Sequence, residues 1–337
     1  MELRRTIGRA LCAATIWAAA GTVQAQDNAA YFKGKTVNYI VATAAGGGYD
    51  TYGRLVAEYM QKYLPGSTFV VRNMPGAGHL IGANAIYAAK PDGLTIGTFN
   101  TGLIYTQIAK HDGVKFDLKK MSWLGKAATD PRVVVVASQS PIKSWADIVA
   151  SKEPLNFATS GPGGANFVET LALTAILKLP IRMLSGYNGT DDQLAMRRNE
   201  IVGTIASRSS YDQFVKNGYA RYIVQFGGAA NDTPQLSTLV KGDDAQRLVK
   251  LITAQGDIAR LTAGPPNIPE DVLGALRAAY KSALSDREFQ ERAEKLEKPV
   301  EALYGDDVAA AVAAALDQTP EVTQLLVEGF KSAGGKR

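Results

Sequence analysis

The chain of 337 residues is poor in the residues that most catalytic and metal sites need. Its single cysteine, Cys12, lies close to the start, so the rest of the chain can form neither a disulfide nor a thiolate metal site. Only two histidines occur, His79 and His111, and neither falls in a His-Glu-x-x-His pattern; a Gly-x-Ser-x-Gly nucleophile turn is missing too. Hydrolytic and metal-assisted chemistry are thereby disfavoured, and no cofactor is expected. Neither charge is in large excess: 37 basic against 32 acidic residues give a formal +5, too little for a nucleic-acid partner. The uncharged run from Ala10 to Val23 is about 14 residues, too short to cross ~30 Å of hydrocarbon. Internal repeats and low-complexity linkers are lacking as well.

That short run has the order of a secretory leader instead. Arg4, Arg5 and Arg9 precede it, and Val23-Gln24-Ala25 closes it with small residues, so residues 1–25 are expected to be a signal peptide cleaved after about Ala25. The product is then periplasmic, with a net charge near +3. Cys12 precedes the end of the apolar run and is misplaced for lipid attachment. With 46% hydrophobic and 20% charged residues, the remainder can bury the cores of two domains.

Short β-rich runs alternate with helical stretches. Val37 to Ala42, Thr68 to Arg72 and Leu94 to Phe99 read as strands. Between the first two, Tyr52, Leu55, Val56, Tyr59, Met60 and Tyr63 form one apolar helical stripe that Pro65-Gly66 ends. A second block opens at Val133 to Ala137, a strand expected to be buried on both faces, and continues through Leu155 to Thr159, Ile181 to Leu184, Ile201 to Ala206 and Tyr222 to Phe226. Helical patterns cover Ala165 to Lys178 and Thr190 to Arg198. Alternation of this kind implies parallel sheets covered by helices, the α/β class, here as two lobes. The boundaries expected are 26–127 with 236–337 for the first lobe and 128–235 for the second. The tail from Pro269 to Gly329, helical and without strands, is expected to pack on the first lobe.

Two glycine-rich loops follow a strand and open a helix: Ala44-Ala45-Gly46-Gly47-Gly48-Tyr49-Asp50 and Thr159-Ser160-Gly161-Pro162-Gly163-Gly164-Ala165-Asn166. Glycine lets backbone approach a ligand, and the free N–H groups of a helix N-terminus favour an anion. One loop per lobe makes a pincer, although each alone could be no more than a tight turn. Neither carries the Gly-Lys-Ser/Thr ending of a phosphate loop. Asp50 is expected to cap the first helix and pair with Arg54. His79, after Pro75-Gly76-Ala77-Gly78, is expected at a helix start, and His111, beside Asp112-Gly113, in a surface turn.

In this order and spacing, Ala45-Gly46-Gly47-Gly48-Tyr49-Asp50 with Arg54, Val71-Arg72-Asn73-Met74-Pro75-Gly76-Ala77-Gly78, Lys90-Pro91-Asp92-Gly93-Leu94-Thr95 and Phe157-Ala158-Thr159-Ser160-Gly161-Pro162-Gly163 resemble the receptors of tripartite tricarboxylate transporters, the TctC-like or Bug family. The resemblance implies a type II periplasmic-binding fold, two α/β lobes with a ligand cleft between them, in which both glycine loops grip a carboxylate. It implies a receptor, not an enzyme: a monomer that delivers a small organic anion, a di- or tricarboxylate or an aromatic carboxylate, to two integral-membrane subunits. Carried over position by position, the binding residues are Ala45, Gly46, Gly47, Tyr49, Asp50, Ser160, Gly163, Ala165 and Asn166. Phe167 replaces a histidine often found in the family, Asn188 a lysine, and Ala206 an acidic or amide residue, which leaves the ligand's identity open. Arg208, just past the strand Ile201 to Ala206, is expected to hold the far end of the ligand unless it is a solvated surface arginine. Tyr49 and Phe167 suggest an apolar or aromatic middle. A ligand sensor for a signalling partner, or an enzyme using the same cleft, are the alternatives.

Overall fold

The computed structural model describes residues 29–229 and 231–334; the expected leader, 1–25, lies outside the described residues. Two mixed sheets organise the chain. The first has the order β11-β4-β10-β3-β1-β2, built from Thr36–Val41 (β1), Thr68–Asn73 (β2), Thr95–Phe99 (β3), Ser122–Ala128 (β4), Ala259–Gly264 (β10) and Leu303–Tyr304 (β11). The second has the order β7-β6-β8-β5-β9, from Arg132–Ala137 (β5), Leu155–Thr159 (β6), Ile181–Ser185 (β7), Gly203–Ser207 (β8) and Ala220–Phe226 (β9).

The expected alternation produces the parallel pairs β1 with β2 and β3, and β6 with β7 and β8. Other pairs are antiparallel: β10 with β3 and β4, β11 with β4, and β5 with β8 and β9. The antiparallel partners lie where the chain passes between sheets. It leaves the first at Ala128, enters the second at Arg132, and returns at Ala259. A strand arriving from the other sheet is not bound to the βαβ geometry that enforces parallel pairing. Both passages are tied together, because the Asp130 N–H donates to Gly256 O at 2.9 Å.

Helices cover both faces of each sheet. Gly48–Lys62 (α1) buries Tyr52, Leu55, Val56, Tyr59 and Met60, the stripe read from the sequence, against Glu270–Ser285 (α10) and the first sheet. Each such side chain contributes about 1.5–3 kcal/mol when fully buried. Leu80–Tyr87 (α2), Gly102–Ile108 (α3) and Gly305–Leu316 (α12) cover the opposite face. In the second sheet every residue of β5 is buried, as expected of a strand between two helical layers. Trp145–Ala150 (α4) and Ala165–Leu177 (α5) lie on one side, and Asp191–Arg197 (α6) with Asp212–Lys216 (α7) on the other. Leu236, Val240, Ala245, Leu248, Val249 and Ile252, from Leu236–Leu239 (α8), the turn after it and Asp243–Asp257 (α9), share the α4–α5 side.

The tail differs from expectation in two respects. It does hold a strand, since Leu303 and Tyr304 pair with Lys126 and Gly125 of β4. Its helices also divide: α10, Arg287–Lys295 (α11) and α12 pack on the first sheet, whereas Pro320–Gly334 (α13) lies across α5 and α3. The reason is apolar area. Val322, Leu326 and Phe330 find their partners in Phe167 and Leu171 of α5, and the rings of Phe330 and Phe167 stack with centroids 6.1 Å apart.

Candidate functional site

A cavity of about 120 Å³ opens between the two sheets, beyond the carboxyl ends of β1 and β6. At this measure one water needs roughly 10–15 Å³, so a small organic molecule fits. Both glycine loops reach it: Gly47, Gly48 and Tyr49 from one side, Ser160, Ala165 and Asn166 from the other. The first turns of α1 and α5 therefore face one space, with N–H groups that no helical carbonyl can satisfy. Ala206 completes the wall from β8, and Tyr187, Asn188 and Gly189 come from the loop after β7. The two sides touch through glycine. A Cβ on Gly47 would lie 3.1 Å from Gly189 O, one on Gly163 2.1 Å from Gly78 O, and one on Gly102 2.2 Å from Ala165 N.

The loops are held from within. Asp50, in the first turn of α1 and buried, accepts from Gly46 N–H (2.9 Å), Asn73 Nδ2 (2.8 Å) and Arg54 Nε (3.0 Å). Partial burial opposes its ionisation, but these three donors outweigh burial and hold the carboxyl below its usual range. Opposite, Asn166 Oδ1 accepts from Ser160 Oγ (2.8 Å) and Ser160 N–H (3.2 Å). The turn before α2 is strained: Ala77 and His79 both have positive φ, 46° and 80°, a cost of order 1–3 kcal/mol each that the surrounding packing must overcome.

Six residues expected at the ligand lie outside the cavity wall. Ala45 and Gly46 are exposed on the outer rim, and Asp50 is spent on its loop. Gly163 meets Gly78 and Leu80 across the cleft. Phe167 is buried against Phe330, so it supplies no apolar wall to a ligand. Arg208 donates through Nη1 to Gln225 Oε1 (3.0 Å) and Thr233 Oγ1 (3.1 Å) and stacks on Tyr222 at 4.3 Å. With Asp212 Oδ1 3.6 Å from Nε, these contacts engage the guanidinium within the second sheet's own side, and Arg208 does not line the cavity.

The family model for the tripartite tricarboxylate transporter family receptor matches residues 53–324, most of the chain. The chain belongs to that family. Among curated relatives, a UPF0065 protein of Agrobacterium vitis is 33% identical over 148 residues, 42% of this chain and 41% of its own length. One from Pseudomonas sp. (strain P51) is 25% identical over 79% of this chain and 78% of its own length. The fold is that of the periplasmic binding protein BugD, with a TM-score of 0.73 at 22% identity over 89% of this chain and 98% of that one. It is also that of MatC from Rhodopseudomonas palustris with bound malate, with a TM-score of 0.68 at 21% identity over 88% and 98%.

The receptor's cavity carries charges that the sequence reading missed. Arg132, at the start of β5, lines it, and Glu169 of α5 lies behind. The Arg132 Nη2 to Glu169 Oε2 distance is 2.6 Å, Nε reaches both carboxylate oxygens at 2.9 and 3.0 Å, and Nη1 donates to Ser207 Oγ at 3.0 Å. A second buried arginine, Arg260, stacks on Tyr49 at 4.2 Å and pairs with Asp130 at 2.5 Å. A lone charge in an apolar element was the available signal. Glu169 is the one ionisable residue of α5, and Arg132 abuts Val133 to Val136. Such charges must find partners when buried.

His79, Asn100 and Asp192 also line the cavity. His79 Nδ1 lies 2.9 Å from Ala42 O, which can only accept, so the proton sits on Nδ1 and Nε2 keeps its lone pair. Burial lowers its pKa to about 4, leaving the ring neutral. Among the described residues, no cluster of His, Cys, Asp or Glu is arranged to hold a metal ion.

Proposed function

We propose that this protein is a periplasmic receptor that captures a small carboxylate between two lobes and presents it to the two membrane subunits of a tripartite transporter. The observation that carries this reading is the facing of two helix N-termini, α1 and α5, into one cavity from opposite sheets. Each end carries about half a positive charge and first-turn N–H groups, so an anion between them is favoured by both. The lobes in this reading are residues 29–128 with 258–316, and 129–257, because α8 and α9 share the core of the second sheet, while α13 lies across both. Capture is by closure: a ligand that touches both loops stabilises the closed arrangement by its differential affinity for it.

The titratable side chains His79 and Asp192 are engaged as a scaffold and not as a proton relay. His79 is held by Ala42 O, Asp192 by Tyr211, and no hydrogen bond joins either to a nucleophile among the described residues. A receptor is supported over an enzyme on that ground, and acyclic mono- and dicarboxylates over bulkier acids by the cavity's size. Thermal-shift measurement of residues 26–337 against mono-, di- and tricarboxylates tests it. A rise in Tm with one acid class, following RT ln(1 + [L]/Kd), is the expected result. Loss of the reading follows if no organic acid moves the melt while neutral compounds do.

A further inference from the structure

The charges around the cavity cancel in pairs. Arg132 gives its Nε and Nη2 to Glu169 in a pair whose side chains are 7% and 0% exposed, and Arg260 is matched by Asp130. Each cation thus has its own carboxylate, although Nε and Nη1 of Arg260 have no hydrogen-bond acceptor. Asp192, by contrast, stands in the wall on α6 with no lysine or arginine paired to it among the described residues. Its oxygens accept from the Tyr211 hydroxyl (2.5 Å) and from the N–H of Gln193 (2.8 Å). Burial raises its pKa to about 6, with neighbouring Asp191 adding to the rise, so it is ionised at pH 8. Asp192 is half-buried and stands among the residues that line the ligand space.

Across the cavity the polarity reverses. Asn100 is 4% exposed; its Oδ1 accepts from Gly102 N–H at 2.6 Å, and its Nδ2 has no partner. An unused buried donor is destabilising unless a ligand oxygen meets it. The wall therefore offers donors at the helix N-termini and Asn100, and an acceptor at Asp192. A second carboxylate placed at Asp192 would meet like charge with no cation to offset it.

Resting on the receptor reading, we infer that the site selects a monocarboxylate whose far end bears a hydrogen-bond donor, a hydroxyl or an ammonium group, and that Asp192 makes this selection. Acidic dicarboxylates are the disfavoured class, because rejection comes from an unpaired charge and not from size.

Isothermal titration of the mature chain at pH 8 tests this with length-matched acids: succinate, butyrate, 4-hydroxybutyrate and 4-aminobutyrate, and the corresponding sets of five and six carbons. In the best-binding length, the hydroxy or amino acid is expected to bind at least tenfold more tightly than the dicarboxylate, and which of the two wins identifies the donor. Asp192→Asn should cut that ratio at least tenfold by weakening the donor-bearing acid and admitting the dicarboxylate; circular dichroism and a melt confirm that the variant is folded. A dicarboxylate that binds best to the parent chain, with a ratio unmoved by Asp192→Asn, overturns the inference while the receptor reading stands. If no acid of any length binds, both fall together.

Discussion

Gly163 provides a clean handle on closure. Its φ is not positive, so a side chain is locally permitted, and the three atoms nearest a Cβ there belong to the facing side: Gly78 O at 2.1 Å, Leu80 Cγ at 2.8 Å and Gly78 C at 2.9 Å. Ordinary contact begins near 3.4 Å, so Gly163→Ala forces the two loops about 1 Å apart or overpacks them. Overpacking costs about 1–3 kcal/mol if the contact is kept. The chain can avoid that cost by opening at the passages 128–132 and 257–259, because the three nearest atoms all lie on the facing side. The cost then falls on the ligand, whose affinity should drop by roughly 5- to 150-fold, as every 1.4 kcal/mol is tenfold. Ligand-free stability should change by no more than about 0.5 kcal/mol. Calorimetric titration with the tightest-binding acid reads the first quantity and urea unfolding the second, with the radius of gyration from X-ray scattering as a check on opening. Unchanged affinity would mean that the bound state does not bring these loops together. A stability loss above 2 kcal/mol with normal affinity would mean that the contact is fixed packing, and either result refutes the argument.

Three further outcomes are expected. Asp192 has its pKa raised from 3.8 to about 6, so its destabilising effect is nil below about pH 4, grows through that interval and is complete above pH 6. Asp192→Asn should therefore stabilise the ligand-free protein by up to roughly 3 kcal/mol at pH 8 and hardly at pH 4, and an equal effect at both pH values in urea unfolding would contradict this. Glu169→Ala leaves Arg132 buried without its carboxylate and should cost about 3–5 kcal/mol; a loss under 1 kcal/mol would show that water from the cavity solvates the guanidinium. Gly274→Ala, in mid-α10 with no atom within 4 Å of the new Cβ, should stabilise by about 0.5–1 kcal/mol, and destabilisation in the same assay would point to a contact on that face.

Much of the fold was legible because apolar periodicity encodes it directly. All eight expected strands are present, and α1, α5 and α6 agree with their helical patterns to within a few residues. Two of the three strands that went unread share a cause. β4 and β10 carry Lys126 and Arg260 in fully buried positions, and a charge inside a strand disguises its period until the partner is known. The deciding partners are remote in sequence: Asp257 O for Lys126 and Asp130 for Arg260. β11 is only two residues long and depends on β4 for its existence.

The candidate site divides along the same line. Glycine loops announce themselves, since backbone that must approach a ligand or another loop closely excludes a Cβ, and Gly47, Ser160, Ala165 and Asn166 all reach the cavity. Side-chain chemistry does not announce itself in this way. Arg208 follows the right strand but turns to Gln225 and Thr233, and Phe167 sits one residue past Asn166 yet points to Phe330, because consecutive residues of a helix lie about 100° apart. What replaced them was present as anomalies: one acid in the apolar helix α5, one arginine opening an otherwise apolar strand, one aspartate beside a buried tyrosine. A buried charge is tolerated only where something answers it. Glu169 answers Arg132 and Asp130 answers Arg260, and the carboxylate of Asp192, answered by no cation, is the position at which the ligand's own chemistry has to complete the site.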